Sequence, residues 1–173
     1  MKRRHTLGSL AWALAAPLMG GARAALAAPA QKGQVVQWPE SIALLDETRL
    51  AASALRGRAV VVVFWTTTCP FCRRHNQHMD KLHRAAAGLP LTVLGVARER
   101  DVAAVRRHVQ QRGYSFPVTL DHAPLAAALS ERRMVPLTAV VDAQGRLQLV
   151  LPGEMFEEDV MELLQLARTG VRS

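Results

Sequence analysis

VVVVFWTTTCPFCRRHNQH, residues 60–78, decides how the rest of this 173-residue chain is read. Val60, Val61, Val62, Val63 and Phe64 form an apolar, β-branched run that suits a strand buried on both faces of a sheet. Thr66, Thr67 and Thr68 supply turn and capping oxygens, and Pro70 sits where a first helical residue costs no hydrogen bond. Cys69 therefore falls at a helix N-terminus, where unpaired N–H groups and the positive end of the helix dipole favour thiolate over thiol. The spacing makes Cys69 the candidate nucleophile, with Cys72 one turn further in as the thiol that resolves a mixed disulfide.

Two structural readings of the pair stand beside the redox one. A fixed disulfide closing so short a loop would remove little entropy from the unfolded chain. A four-cysteine zinc site lacks its other two ligands, because the chain has only these two cysteines. Cys69, Cys72, His75 and His78 also offer metal-ligating atoms, but on one helix the ends of this series lie about 13 Å apart and turn progressively around the axis. No single ion takes all four. Cys72 with His75 leaves a partial soft-metal site, so copper handling is the alternative from a different class.

Working outward, residues 91–97 (LTVLGVA) read as a second buried strand. Asp101 caps a helix with Val102, Val105 and Val109 on one side, which Gly113 ends. Residues 116–120 read as a short strand, and 124–129 as a helix. Residues 137–141 and 147–151 form a hairpin about the turn Asp142-Ala143-Gln144-Gly145. A single amphipathic helix is predicted over 154–168, and a helical turn over 50–55. Residues 35–45 read as an extended entry. This order predicts an α/β domain with a central mixed sheet covered by helices on both faces.

The N-terminus has the composition of an export signal. Lys2, Arg3 and Arg4 precede an apolar span over 7–19, and small residues near 24–30 offer cleavage sites. The span is shorter than the roughly 20 residues a membrane-crossing helix needs, and Pro17, Gly20 and Gly21 interrupt it. The reading is a signal peptide over 1–30, by a general or twin-arginine route, and one domain over 31–173 in the periplasm. Four of the cations behind the net charge of +8 lie in the leader, which leaves about +4 for the domain. With few aromatics and no Lys/Arg tract, the domain carries no nucleic-acid signature.

Three motifs, in order, resemble those of thioredoxin-like proteins: 63–73 (VFWTTTCPFCR), Val135-Pro136-Leu137-Thr138 before a strand, and Val141-Asp142-Ala143-Gln144-Gly145. More narrowly, they resemble the exported TlpA/ResA/DsbE-type thiol:disulfide oxidoreductases. The resemblance runs from about Trp38 to the C-terminus and implies the thioredoxin fold. It also implies a cis peptide before Pro136, facing the cysteines, and a groove of Trp65, Pro70, Phe71 and Val135 in which a partner's extended segment pairs with the Val135 backbone.

On this resemblance the only redox group is the Cys69–Cys72 disulfide, with no further cofactor or metal. The partners are cysteine-containing exported proteins and a membrane thiol donor. Phe71 leaves no histidine between the cysteines to stabilise the thiolate, which favours a reductant over a general oxidant or isomerase. The reductant reading covers cytochrome c maturation and metal-site assembly.

The chain departs from the family at its proton acceptor. Relatives of this type usually carry glutamate three residues after the second cysteine, where this chain has His75; thioredoxins use an aspartate in the central strand, where it has Val63. His75 is read either as a solvated helix-face histidine or as the group that takes the Cys72 proton. Arg73, Arg74, Arg132 and Arg133 are candidates for an electropositive rim.

Overall fold

The structure is a computed structural model that describes residues 28–169, so the leader reading lies almost wholly outside the described residues. Five strands form the main sheet in the order β5-β4-β3-β6-β7, comprising β3 (Ala59–Trp65), β4 (Leu91–Ala97), β5 (Val118–Thr119), β6 (Leu137–Val141) and β7 (Leu147–Pro152). β3 lies at the centre, parallel to β4 and antiparallel to β6. All seven of its residues are buried, as its uninterrupted apolar run requires.

Alternation along β3 sorts the core into two layers. Val61, Val63 and Trp65 face Met79 and Leu82 of α1 (Pro70–Ala85), Val105 of α2 (Val102–Arg112) and Val160 of α4 (Glu157–Glu162). Val60, Val62 and Phe64 face Leu125 and Leu129 of α3 (His122–Leu129), together with Ile42 and Leu55 from the N-terminal segment. Helices thus cover both faces, as the order of elements predicts. In β4, Gly95 is required by close packing, since a Cβ there would lie 2.6 Å from Phe116 Cε2 and 3.1 Å from Trp65 Nε1.

Three local expectations need correction. The extended entry and the helical turn are resolved into a small antiparallel hairpin, β1 (Ser41–Ala43) with β2 (Arg49–Ala51), followed by a 3-10 turn over Ala52–Leu55. The hairpin turns through Glu47 at φ 72°, without a glycine to announce it. The closing helix is two helices, α4 and α5 (Leu164–Thr169), which break at Leu163. Finally, the threonines do not cap α1: Cys69 is the N-cap, and its Sγ accepts the Cys72 N–H at 3.1 Å.

Candidate functional site

Cys69 and Cys72 are joined as a disulfide at the start of α1, with Cα atoms 5.2 Å apart. The two sulfurs are unequally placed. Cys69 is part-exposed at the helix tip, whereas Cys72 is 1 % exposed and packs into the layer under α1. That asymmetry suits one sulfur that meets a partner and one that meets only its neighbour. The Val135–Pro136 peptide is cis, and the Val135 carbonyl oxygen lies 3.9 Å from Cys69 Sγ. Pro136 itself is buried, and its carbonyl accepts the Gly153 N–H.

The groove residues do not all lie where the resemblance puts them. Pro70 and Phe71 are exposed beside the disulfide, and Val135 is half-buried. Trp65 is not a groove residue: it is 0 % exposed. The same alternation that sends Val61 and Val63 toward α1 sends its indole into the core, against His108 and Tyr114. Met134, next to Val135, adds an exposed apolar side chain that the motif reading did not include.

His75 also differs from its solvated reading, for it is 0 % exposed on the inner side of α1. The Met155 N–H donates to its Nδ1 at 3.2 Å, which fixes the neutral tautomer with the proton on Nε2, 2.8 Å from Thr138 Oγ1. Burial, with the neighbouring His78, lowers its pKa to about 4. Both ring nitrogens are engaged, so a proton from Cys72 finds a place on the ring only if the Met155 contact is given up. The histidine therefore ties α1 to the second residue beyond Pro136 and to the segment after β7. Alongside it, His78 Nδ1 donates to the Met155 carbonyl, and the ion pairs Arg74–Glu154 and Lys81–Glu157, each at 2.6 Å, close the same seam.

Glu99 is the site residue that motif reading passes over. Its Oε1 accepts both the N–H and the hydroxyl of Thr67, at 2.6 and 2.7 Å, and so holds the turn that leads into Cys69. The only sequence signal is an acid just past the end of β4. The rim arginines divide: Arg74 is bound to Glu154 and lies over the Phe71 ring, whereas Arg73, Arg132 and Arg133 form no ion pair among the described residues. Among the described residues there is also no group of three or more His, Cys, Asp or Glu placed to hold a metal.

Comparison with known proteins agrees with this geometry. The Redoxin family model matches residues 27–164. The thiol-disulfide oxidoreductase ResA of Halalkalibacterium halodurans is 30 % identical over 124 residues, which cover 72 % of this chain and 70 % of that protein. Among solved structures, a thiol:disulfide interchange protein of the thioredoxin family from Chlorobium tepidum aligns with a TM-score of 0.71 at 23 % identity, over 81 % of this chain and 99 % of that one. A secreted Mycobacterium tuberculosis disulfide oxidoreductase, homologous to DsbE of E. coli, aligns with a TM-score of 0.62 at 20 % identity, over 72 % and 93 % of the two chains.

Proposed function

The chain belongs to the Redoxin family and is a thiol:disulfide oxidoreductase of ResA/DsbE type with the thioredoxin fold, and from that premise we propose that it is an exported reductant of protein disulfides. In the proposed cycle the Cys69 thiolate attacks a disulfide in a partner protein, and one partner sulfur leaves as thiolate. Cys72, deprotonated, then attacks Cys69 Sγ. The partner departs with both sulfurs reduced, and the Cys69–Cys72 disulfide remains. Two electrons have passed, and an external dithiol, by this reading at a membrane, restores them.

The observation that carries the reading is the unequal burial of the two sulfurs at a helix N-terminus. The proposed division into a leader over 1–30 and a domain over 31–173 is supported by the basic-then-apolar composition of the first residues, and on this reading the exchange takes place in the periplasm. Val135 and Pro136 form the edge along which the partner's extended segment lies. Its substrates on this reading are exported cysteine proteins of the cytochrome c or metal-site assembly kind.

The test has two parts. Equilibration against glutathione should give a reduction potential on the reducing side of about −200 mV; a value near −120 mV would make the protein an oxidant. Cys72→Ala expressed with its leader should accumulate mixed disulfides through Cys69 that dithiothreitol releases. If none form outside the cytosol, the proposed substrates fall.

A further inference from the structure

Arg98 is a cation that the fold half-removes from water without a hydrogen-bond or ion-pair partner for its guanidinium among the described residues. It follows β4 directly, and its N–H donates to the carbonyl of Trp65 at 2.9 Å, which puts it at the same end of the sheet as Cys69. Its guanidinium stacks on the Phe64 ring, with Cζ 4.6 Å from the centroid, on the α3 face. Nε and Nη2 are buried without a hydrogen-bond partner, and no ion pair joins the group to any described residue. Burial, and then the charge of Arg133, hold its pKa below the ordinary value. Phe64 offsets only part of that cost.

The group borders an open cavity of about 700 Å³, which is also lined by Arg133, His122, Glu131 and the small residues Ala123 and Ala126 of α3. Glu131 is the one acid there, and it makes no ion pair with either arginine. His122 has its Nδ1 on its own Leu120 carbonyl, 3.2 Å away, which leaves Nε2 unused. Arg133 stands two residues before Val135, whose carbonyl is 3.9 Å from Cys69 Sγ. The cavity rim and the Val135 edge thus belong to one short stretch of chain, at the end of the sheet where Cys69 lies. Two guanidinium groups facing one space, with small residues for a floor, match the planar, doubly accepting geometry of a carboxylate.

We propose that the cavity between Arg98 and Arg133 is a carboxylate subsite, which receives an acidic side chain of the polypeptide whose cysteines exchange with Cys69. The subsite rests on the exchange reaction proposed above and adds a substrate class to it. It selects partners by charge next to the reacting cysteine and leaves the chemistry of exchange to the disulfide.

Two peptide disulfides that differ only in Glu or Gln within three residues of the cysteine test this, with the fully reduced protein as reagent. The Glu peptide should react about fivefold faster at low salt. Arg98→Gln should bring the ratio to one, whereas Arg56→Gln, an equal loss of charge before β3 at the other end of the sheet, should leave it at about five. A ratio of one in the wild type, or a ratio that survives Arg98→Gln, overturns the subsite. If neither peptide reacts, the exchange reading itself has failed, and succinate then decides the cavity: a rise in Tm that Arg98→Gln removes supports it, and no such difference overturns it. A succinate effect with a peptide ratio of one marks a site for small free anions and overturns the substrate assignment.

Discussion

At the entrance to β3, Arg58 gives its Nε to Thr92 Oγ1 at 2.9 Å and its Nη2 to the carbonyls of Leu89 and Leu91 at 3.1 and 3.0 Å. At the exit of β4, the Arg98 guanidinium lies on the Phe64 ring but makes no hydrogen bond or ion pair among the described residues. The two arginines occupy opposite ends of one pair of parallel strands, and the contrast separates their work. The Arg58 end is closed, with its donors spent on holding β3 to the turn before β4. The Arg98 end carries the disulfide, the Val135 edge and unspent donors, as expected where loops follow the carboxyl ends of parallel strands.

The largest effect that tests this division is at Cys69. Cys69→Ser should lower the rate of disulfide exchange by more than about a thousandfold, because the hydroxyl is not ionised at neutral pH. Its stability should match that of the reduced wild type, as measured by urea titration in dithiothreitol. Residual turnover within tenfold of wild type would dissolve the contrast between the two ends.

His75 comes next, as a buried strut of the reactive end. Its folded pKa of about 4 lies below the ordinary 6.5, so the unfolded chain binds the extra proton between these values. Its contribution is therefore complete above about pH 6.5 and is lost as pH falls toward 4, by on the order of 3 kcal/mol. His75→Gln should flatten the stability profile in that window relative to wild type. Carboxylates such as Glu154, lowered by its bond with Arg74, act only below their ordinary value of 4.5. An unchanged slope between pH 6.5 and 4 would mean that the ring is charged or exposed. The same variant separates strut from proton acceptor: thiol alkylation rates should keep their pH dependence if the ring only positions β6 and Met155.

Arg58→Ala should cost about 2 kcal/mol, since charge-assisted bonds to Thr92, Leu89 and Leu91 are lost, and should leave the exchange rate as it was. A slower exchange would show that the closed end communicates with the disulfide. The smallest effect is predicted for Glu99→Ala, which frees Thr67 at the reactive end. About 1 kcal/mol of stability and a few-fold loss of rate are expected, because the turn before Cys69 still has the Cys69 N–H on the Thr66 carbonyl. If stability falls and the rate does not, Glu99 belongs with Arg58 in function, whatever its place in the sheet.

The strands β3, β4, β6 and β7 and the helices α1 and α2 were readable because each declares itself locally: an apolar run, a proline at a first helical position, Asp101 before a helix and Gly113 after it. The β1–β2 hairpin was not readable. Its strands are three residues each, and its turn uses Glu47 rather than a glycine. The break at Leu163 has no proline or glycine to mark it. At the site, the cysteine pair and Pro136 stand out as motifs, but the burial of Trp65 does not, because a motif lists neighbours in order and does not say which face of a strand each one takes.

Local sequence is enough for the parts of this protein that depend on adjacent residues. Two sulfurs one turn apart at a helix start and a strand that must be buried both follow from interactions within a few positions. Tertiary structure alone decided whether each polar group found a partner. Glu99 reaches Thr67 across 32 residues, and His75 reaches Thr138 across 63 and Met155 across 80. Arg98 stacks on Phe64 and forms no ion pair among the described residues. Hydrogen bonds and ion pairs act only over a few ångströms, so their partners are set by which strands lie side by side, a property no local stretch contains.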